Sequence, residues 1–466
     1  MNYLIKNAVA TIEPQLLDTV EAVSHSMENA AKDIRISKGI IVEMGLGLPL
    51  HPNEVLVNAS DCVVYPGLVN THHHLAQSVL KGIPAGLNSD LGHWLAEVPF
   101  RFWPHIDPQL MYDAAILGLA ELLRSGATTC CDHHYLYHAS VTPEIEDALW
   151  QAASDIGMRL VLCRGGATAT GSHKGLQKAA ITPETISQML NRLDDTRSRY
   201  HQAGPNGMRR LVVAPTSLIH STKAEDLKTL AAYARNYDLK MHSHLLEVDF
   251  DEQQCRNLYG KSAVAYAQGC DWLGEDVWFA HLVKASSQDI NLLAKSGTSI
   301  SHCPTSNCRL GSGIAPVVAM REAGMNITLG VDGSASSESA SMIQELNLAW
   351  LLHRSGHGAN ATRATQVAQW GTQNAAKLLG LDAIGALSVG KAADLVLFDI
   401  SHFRYWGMHS KSVAPIIAGE PVSVKTCFIN GKLVIDDGNI KGINLADRQT
   451  SLLQGLARLK QKVGDF

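Results

Sequence analysis

Apolar stretches alternate with helical patterns throughout the middle of the chain. Eight of these stretches are strand-like, and they read CVVYPGLVNTH, ATTCCDHH, RLVLCRGG, RLVVAPTS, KMHSH, VWFAHLV, TSISHCP and NITLGVDGS. Apolar residues with helical spacing fill the intervals, as in MYDAAILGLAELLRSG and AEDLKTLAAYARNYD. Eight strands that alternate with helices predict an α/β fold, a (β/α)8 TIM barrel. A doubly wound open sheet is the alternative, but no glycine-rich nucleotide-binding turn follows the first strand.

Short β-like stretches also occur at both ends of the chain. YLIKNAVATI and DIRISKGIIVEMG lie near the start; KAADLVLFDI and VKTCFINGKLVIDDG lie near the end, where Asn430-Gly431 is typical of a hairpin turn. We therefore predict that residues 1–65 and 385–443 form one small composite β-sandwich domain, beside a catalytic barrel of residues 66–384. A C-terminal helix is predicted for residues 444–466, with apolar positions at Leu452, Leu453, Leu456 and Leu459.

Length and charge limit the possible partners. A chain of 466 residues is long enough for a large barrel and a smaller domain. The formal net charge of -5, without a basic cluster, argues against nucleic acid or an anionic membrane as the main partner. No apolar run is long enough to span a membrane, and MNYLIKNAVATIEP lacks the pattern of a secretory signal. We expect a cytoplasmic protein that acts on a small molecule.

Cysteine usage fits the same compartment. The nine cysteines are scattered without a repeating spacing, which is not the pattern of a disulfide framework. Cys130 and Cys131 are adjacent and would point to opposite sides of a strand, so they are poor joint metal ligands. Reduced thiols in the cytosol are the expected state.

Histidines and carboxylates fall where the predicted barrel strands end. The active sites of such barrels lie at the carboxyl ends of the strands. His72 and His74 end the first strand, and side chains two residues apart share one face, so both can reach one ion while His73 points away. His242 and His244 repeat this spacing at the end of the fifth strand.

Three further polar residues occupy similar positions. Glu247 follows the fifth strand, His281 ends the sixth, and Asp332 ends the eighth. A carboxylate at the end of a buried apolar strand is costly unless it is paired or bound to a metal. Each residue by itself also fits a structural role, such as a histidine bonded to a backbone carbonyl or an aspartate that caps a turn. The agreement of four strand ends favours a metal site.

The ordered motifs PGLVNTHHH, HSHLLE, FAHLV, SHCPTSN, GVDGS and VGKAADLVLFD resemble those of the amidohydrolase superfamily, in its branch of purine, pterin and adenosine-derivative deaminases. The resemblance covers nearly the whole chain. It implies one divalent ion, zinc with iron as the alternative, and a set of metal ligands formed by His72, His74, His244 and Asp332. The His-x-x-Glu spacing typical of this branch selects His244 over His242, a choice that the strand pattern leaves open.

The fourth strand bears on the number of metal ions. Superfamily members with two metals usually place a bridging carboxylated lysine at the end of this strand. The strand here reads RLVVAPTS and has no lysine at its end. The resemblance therefore implies a mononuclear site and disfavours the ring-opening activities of dihydroorotase-like and hydantoinase-like relatives.

The resemblance also implies a hydrolytic deamination. In this reaction Asp332 accepts a proton from water, and the hydroxide formed at the metal attacks an amino-bearing ring carbon. Glu247 carries a proton to the adjacent ring nitrogen, and His281 stabilises the charge that develops on the attacking oxygen. Ammonia leaves and a lactam remains. A non-catalytic relative that serves in binding or assembly is disfavoured, because every ligand position is filled.

Four residues are candidate substrate contacts. Gln77 lies three residues after His74, as a substrate-contacting glutamine does in related guanine deaminases, although a purely structural glutamine is the alternative. Arg164 ends the third strand and is expected to face a substrate oxygen or carboxylate, or to form a structural ion pair. Trp94 and Tyr135 are expected to line the ring of the substrate, with burial in the core as the alternative. At the seventh strand end lie His302 and Asn307, of which Asn307 is expected to hold loops in place.

The stretches LCRGGAT, MRRLVVAPTS, DVWFAHLVK and FRYWGMHS resemble isoxanthopterin and pterin deaminases most closely. RLGSGIAPV resembles the corresponding segment of 8-oxoguanine deaminases, which are the second expectation. Methylthioadenosine or adenosylhomocysteine deaminases and triazine hydrolases are more distant alternatives. Homo-oligomers are common among similar proteins, but the sequence itself identifies no interface.

Overall fold

The computed structural model describes residues 1–13, 31–170 and 181–464. Its strands are β1 (Asn2–Lys6), β2 (Ala10–Thr11), β3 (Asp33–Ser37), β4 (Ile40–Gly45), β5 (Glu54–Asn58), β6 (Cys62–Pro66), β7 (Leu68–His73), β8 (Ala127–His134), β9 (Arg159–Arg164), β10 (Arg209–Val213), β11 (Met241–Leu245), β12 (Val277–His281), β13 (Ser299–His302), β14 (Ile327–Leu329), β15 (Leu395–Asp399), β16 (Val424–Ile429), β17 (Lys432–Asp436) and β18 (Asn439–Ile440).

Its α-helices are α1 (Leu91–Glu97), α2 (Pro99–Phe102), α3 (Pro108–Arg124), α4 (Glu144–Ile156), α5 (Ile186–Tyr200), α6 (Ala224–Asn236), α7 (Asp249–Tyr259), α8 (Ala263–Gly269), α9 (Ser287–Ser296), α10 (Pro304–Arg309), α11 (Val317–Glu322), α12 (Ser334–Ser337), α13 (Met342–His357), α14 (Ala364–Trp370), α15 (Gln373–Leu378), α16 (Ala414–Ala418) and α17 (Leu445–Val463). Short 3-10 helices cover Leu75–Val79, Pro84–Gly86, Trp103–His105, Phe403–Tyr405 and Lys411–Val413. Within the described ranges, each helix is too short or too polar to cross a lipid bilayer.

Strands β7 to β14 lie side by side in sequence order, and every neighbouring pair is parallel. The barrel closes where the chain that follows β14 returns to β7. There the backbone N–H of Asp332 donates to the carbonyl of His72 at 3.0 Å, and His73 forms a parallel bridge with Asp332. The predicted (β/α)8 barrel is confirmed, and closure brings the end of the eighth strand against the first.

The first predicted strand, CVVYPGLVNTH, is not one strand. It divides into β6, which pairs with β15 in a smaller sheet, and β7, which pairs with β8 in the barrel. Gly67 separates the two, and a Cβ atom at this position would lie 2.2 Å from Oγ1 of Thr128. The chain can pass this close to Thr128 because residue 67 has no side chain.

Both chain ends contribute to two further sheets. One has the strand order β4-β3-β1-β5, and the other has the order β18-β17-β16-β15-β6-β2. Their facing sides share one apolar core, in which Tyr3 packs edge-on against Phe428 with ring centroids 4.8 Å apart. The turn between β16 and β17 has positive φ at Asn430 (48°) and Gly431 (70°), as a tight hairpin requires. The β-sheet domain built from both ends is confirmed, whereas its exact residue limits stay a prediction.

The C-terminal helix α17 packs against α3 of the barrel. Leu459 is buried, and Gly455 lies so close to Leu110 that a Cβ atom would approach its Cδ1 to 2.8 Å. Leu453 is 58% exposed, so the prediction that it belongs to the apolar face was wrong. The contact with Leu110 is made instead by Gly455, which the predicted set of apolar positions did not include. All nine cysteines are free of disulfides.

Candidate active site

Four side chains converge at the carboxyl end of the barrel. The Nε2 atoms of His72 and His74 lie 3.4 and 3.2 Å from Oδ1 of Asp332. The Nε2 atom of His244 lies 3.2 Å from Nε2 of His74. The three residues other than His244 are at least nine-tenths buried. Strands β7 and β11 and the chain after β14 therefore bring one carboxylate and three imidazoles to one point.

Backbone carbonyls fix the orientation of two of these imidazoles. Nδ1 of His74 lies 2.7 Å from the carbonyl oxygen of His133, and Nδ1 of His244 lies 2.8 Å from that of Thr216. A ring nitrogen beside a carbonyl oxygen carries the hydrogen, because the carbonyl is only an acceptor. The Nε2 atoms of both histidines consequently present lone pairs to the cluster.

A third histidine fixes the orientation of His72. Nδ1 of His242 lies 2.9 Å from the carbonyl oxygen of Trp278, so this nitrogen donates and Nε2 of His242 accepts. That acceptor lies 2.8 Å from Nδ1 of His72, which must therefore carry the hydrogen. Nε2 of His72 is left as a lone pair, and it is buried without a hydrogen-bond partner.

The donor set fits a divalent cation. Ligand atoms from His72, His74 and Asp332 all lie within 4.8 Å of one another. The same holds for His72, His244 and His281, and for His74, His133 and His244. A buried nitrogen lone pair without a partner is unfavourable in the absence of a cation. Imidazole nitrogens and a carboxylate oxygen are the ligands that zinc and iron bind in proteins.

Asp332 is held in its ionised form. Burial by itself would raise the pKa of this carboxyl, but His72 and His74 hold the pKa well below its usual range. Oδ2 also accepts the hydroxyl hydrogen of Ser306 at 2.6 Å, and Oδ1 accepts the backbone N–H of Gly333 at 2.7 Å. An ionised carboxylate is the form that binds a metal.

Backbone strain is concentrated at the same strand ends. Leu246, His281, Leu282 and Asp332 all have φ in the left-handed region, at 54°, 75°, 47° and 58°. This conformation costs a residue other than glycine about 1 to 3 kcal/mol, and it persists where the surrounding structure enforces it. His281 and Asp332, which have this conformation, both line the cavity at this end of the barrel.

A carboxyl–imidazole pair lies beside the cluster. Nε2 of His281 is 3.5 Å from Oε2 of Glu247 and 4.0 Å from Oδ2 of Asp332. Burial raises the pKa of Glu247 to about 7, although His281 opposes this change. Oδ1 of Asn307 lies 2.9 Å from Nδ1 of His281, and the hydroxyl of Ser312 donates to Oε1 of Glu247 at 3.3 Å. Glu247 can therefore exchange a proton near neutral pH.

The cluster lies at the end of a cavity with about 850 Å³ of atom-free space. Its apolar wall consists of Leu91, Trp94, Leu95, Phe100, Ile219 and Leu310. Its polar groups include Gln77, Tyr135, Ser217, His220, Glu247 and Asp251. A largely apolar cavity with a few converging polar groups is typical of a site for a small molecule.

Three of the predicted substrate contacts line this cavity. Nε2 of Gln77 donates to the hydroxyl of Tyr135 at 2.9 Å, while Oε1 of Gln77 is buried without a partner. The indole of Trp94 donates to the carbonyl of Ala335 at 3.1 Å, which fixes its ring in the wall. Their contact with substrate stays a prediction.

Arg164 occupies a different place. Its guanidinium is fully buried and donates to both carboxylate oxygens of Glu184, at 2.8 and 2.7 Å. It also lies over the ring of Tyr137, 3.8 Å from the centroid. Among the described residues, Arg164 is not part of the cavity wall. The structure thus places this side chain in the ion pair that was the alternative to substrate contact.

His133 also lies in the site, although it was not predicted from the sequence. This residue is fully buried, and both of its ring nitrogens are without a hydrogen-bond partner. Its ring centroid lies 4.6 Å from that of His244 and 5.4 Å from that of His74. The signal was the histidine pair that ends the second strand, ATTCCDHH. In contrast, His302 bonds to His353, with Nε2 atoms 3.1 Å apart.

Comparison with known proteins gives consistent matches over this whole region. The sequence profile of the amidohydrolase family matches residues 63–434. Isoxanthopterin deaminase from an unknown prokaryotic organism is 42% identical over 430 residues, which cover 89% of this chain and 89% of that protein. The 8-oxoguanine deaminase of Pseudomonas aeruginosa is 36% identical over 423 residues, covering 90% of this chain and 92% of that protein.

Two solved structures resemble the whole chain. An amidohydrolase from an environmental sample of the Sargasso Sea is 36% identical, with a TM-score of 0.81, and the match covers 99% of this chain and 100% of that one. Atrazine chlorohydrolase from Arthrobacter aurescens, solved with zinc, has a TM-score of 0.88 at 24% identity and covers 98% of this chain and 100% of its own. The second likeness supports the fold alone.

Proposed function

Since the chain belongs to the amidohydrolase family and is a hydrolytic aminohydrolase of C–N bonds, we propose that it deaminates isoxanthopterin or a closely related pterin and releases ammonia. The observation that carries the proposal is the cluster of His72, His74, His244 and Asp332 with the Glu247–His281 pair beside it. The 42% identity to an isoxanthopterin deaminase supports the choice of substrate.

One divalent ion, zinc in our proposal, would be held by His72, His74, His244 and Asp332. When bound, such an ion lowers the pKa of a water molecule to about 7 and so supplies a nucleophile at neutral pH. Strand β10 contributes no lysine to this site, which supports a mononuclear centre. The residues of the protein hold the metal ligands in position and transfer the protons.

The ionised carboxylate of Asp332 is the acceptor for the proton of the attacking water. Glu247 has a pKa of about 7 because it is buried, so it can hold a proton and deliver it to the ring nitrogen beside the amino-bearing carbon. Protonation of that nitrogen makes the carbon more electrophilic. The proton taken up by Asp332 passes to the amino group, which leaves as ammonia when the C–N bond breaks. The proton of the new hydroxyl group returns to the deprotonated Glu247 as the lactam carbonyl forms.

His281 is placed to stabilise negative charge on the attacking oxygen. Burial opposes protonation of this imidazole, but the charges of Glu247 and Asp332 raise its pKa. Asn307 binds Nδ1, which leaves Nε2 directed toward Glu247. A fixed N–H donor at the place where charge develops lowers the barrier, because it needs no reorientation during the reaction.

The cavity supports a flat bicyclic substrate. Its apolar wall can cover both faces of the rings and exclude water, while the unpartnered amide oxygen of Gln77 can accept an N–H of the substrate. An ammonia-release assay with isoxanthopterin, pterin-6-carboxylate, 8-oxoguanine, guanine and methylthioadenosine tests the proposal. We expect the highest kcat/KM with isoxanthopterin.

The outcomes of this assay are distinct. Turnover of methylthioadenosine alone would refute the pterin substrate and leave the deaminase activity intact. Ammonia release from none of the five compounds by metal-loaded protein would contradict the proposed function. The Glu247→Gln variant serves as the background control.

8-Oxoguanine is the second candidate substrate, because the 8-oxoguanine deaminase of Pseudomonas aeruginosa is 36% identical over 90% of this chain. It presents the same amino-bearing pyrimidinone ring as isoxanthopterin and requires the same chemistry. A kcat/KM that is higher for 8-oxoguanine than for isoxanthopterin would favour this candidate.

A further inference from the structure

His133 lies among the histidines at the carboxyl end of the barrel. Its ring centroid is 5.8 Å from that of His72 and 5.4 Å from that of His242. The distances to the ring centroids of His74 and His244 are 5.4 and 4.6 Å. The side chain of His133 is fully buried, so its two ring nitrogens depend on buried neighbours for polar contacts.

The direction of the His133 side chain follows from the alternation of residues along β8. Cys131, two residues earlier, packs in an apolar cluster with Val69 of β7 and Val161 of β9. This cluster draws residues from several barrel strands, so it lies inside the barrel. Since side chains two residues apart on a strand share one face, His133 also points inward. Within the described ranges, the cavity wall does not include His133, so we assign it no contact with substrate.

Both ring nitrogens of His133 are without a hydrogen-bond partner in the part of the chain that the structure describes. A neutral imidazole has one N–H and one lone pair, so a donor and an acceptor are both unpaired. The neighbouring imidazoles cannot donate to this lone pair: the Nδ1 hydrogens of His74 and His244 go to backbone carbonyls, and that of His72 goes to His242. Unpaired buried groups of this kind are rare and call for a bound ion, a water molecule or a functional role.

The geometry around His133 favours an ion. Ligand atoms of His74, His133 and His244 all lie within 4.8 Å of one another. The Nε2 atoms of His74 and His244 are 3.2 Å apart, and both present lone pairs. Lone pairs that face one another repel, whereas a cation between them attracts all of them. Imidazole nitrogens are ligands that suit zinc, iron, copper and nickel.

We propose that His133 is a further ligand of the divalent ion, in addition to the four residues already assigned. The inference rests on the proposed function, because it concerns the ion that the deamination requires. A fifth protein ligand exceeds the three that catalytic zinc sites usually have. The added imidazole strengthens the preference for zinc over manganese, because manganese favours oxygen ligands.

A cysteine at position 133 reports directly on contact with the ion. The thiolate is the form of cysteine that binds a metal, and a thiolate bound to cobalt(II) gives an intense charge-transfer band in the near ultraviolet. We expect this band in cobalt-loaded His133→Cys and its absence from the cobalt-loaded wild type. A residue that only supports the fold, or that binds a water molecule, would not produce the band.

A phenylalanine at position 133 tests the contribution to affinity. His133→Phe keeps an aromatic ring but removes both nitrogens, so zinc affinity in competition with a chelator should fall by about tenfold or more. The ratio of zinc to manganese affinity should fall as well. His302→Phe is the matched control, because His302 is a fully buried imidazole at another strand end that is paired with His353. It should leave the zinc affinity and the ratio unchanged.

Two results overturn the inference. One is a folded, cobalt-loaded His133→Cys variant without the charge-transfer band. The other is a His133→Phe variant with the zinc affinity and the zinc-to-manganese ratio of the wild type. If His133→Phe does not fold, the spectrum of the cysteine variant decides the question. Wild-type protein that binds no divalent ion would instead contradict the proposed function, whereas stoichiometric metal with either overturning result would leave that function standing.

Discussion

Nδ1 of His72 lies 2.8 Å from Nε2 of His242, and this contact determines which nitrogen of His72 faces the candidate metal site. His242 accepts because its own Nδ1 donates to the carbonyl of Trp278. The ring of His242 also stacks on Trp278, with centroids 4.4 Å apart. The two histidines thus lie in two layers. His72 faces the cluster, and His242 lies behind it and sets the tautomer of His72.

Substitution of His242 should weaken metal binding without removing a ligand. His242→Phe retains the stacking on Trp278 but cannot accept from His72, so the wrong tautomer of His72 becomes populated. We expect metal affinity to fall by about 10- to 100-fold, the usual effect of losing such a partner. Competition with a chelator measures the affinity. His302→Phe removes another buried imidazole at a strand end and should leave the affinity near that of the wild type.

Glu247→Gln should abolish turnover while metal content stays near normal. The amide has the shape of the carboxyl but cannot deliver a proton, and loss of such a group lowers kcat by about 100- to 10,000-fold. Ammonia release and elemental analysis give the two readouts. Ser312→Ala, which removes only the hydroxyl donor to Glu247, should have a smaller effect. Full activity of the glutamine variant would remove Glu247 from the proposed role.

Asn307 should affect catalysis through His281. Oδ1 of Asn307 accepts from Nδ1 of His281 and keeps Nε2 directed toward Glu247. Asn307→Leu should lower kcat by about tenfold, which corresponds to roughly 1.4 kcal/mol in the transition state. Asn307→Asp keeps an acceptor and should retain more activity than the leucine variant. Equal kcat values for the two variants would show that the hydrogen bond is unimportant.

A single methyl group at Gly333 should disturb Gln77. A Cβ atom at Gly333 would lie 1.8 Å from Oε1 of Gln77, although its φ of -71° suits any residue. Gly333→Ala must therefore displace the amide, and kcat/KM should fall by up to about 100-fold. Gly356→Ala is the control, because no atom lies within 4 Å of the new Cβ. Unchanged kcat/KM for Gly333→Ala would argue against a role of Gln77.

Protein stability should depend on pH through Glu345. Burial raises the pKa of this carboxyl from 4.5 to about 8, although it accepts the backbone N–H of Thr305. The folded protein therefore holds this proton more tightly than the unfolded chain, so the contribution to stability is complete below pH 4.5 and is lost as the pH rises through about 8. This difference in pKa corresponds to a free energy on the order of 5 kcal/mol.

Melting temperatures measured across this pH range test the assignment. Glu345→Gln removes the titrating group, so its melting temperature should fall less between about pH 5 and pH 8 than that of the wild type. Glu322→Gln changes an exposed glutamate on α11 and should preserve the wild-type slope. Identical slopes for Glu345→Gln and the wild type would contradict a buried, protonated Glu345.

Local periodicity was sufficient to predict the order of the eight barrel strands and the polar residues at their ends. The alternation of side chains along a strand places His72 and His74 on one face, and the structure brings both to the cluster with Asp332. The same local reading failed for Leu453, because helical spacing shows which residues share a face but does not show where the neighbouring helix makes contact.

The sequence by itself determined the barrel, the composite sheets of the chain ends and the clustering of polar strand ends, since these follow from patterns within short segments. Tertiary structure alone decided that His242 lies behind His72, that Arg164 pairs with Glu184, and that His133 lies among the site imidazoles. Each of these is a contact between side chains far apart in sequence. The pairing depends on how strands and loops pack, which no local pattern specifies.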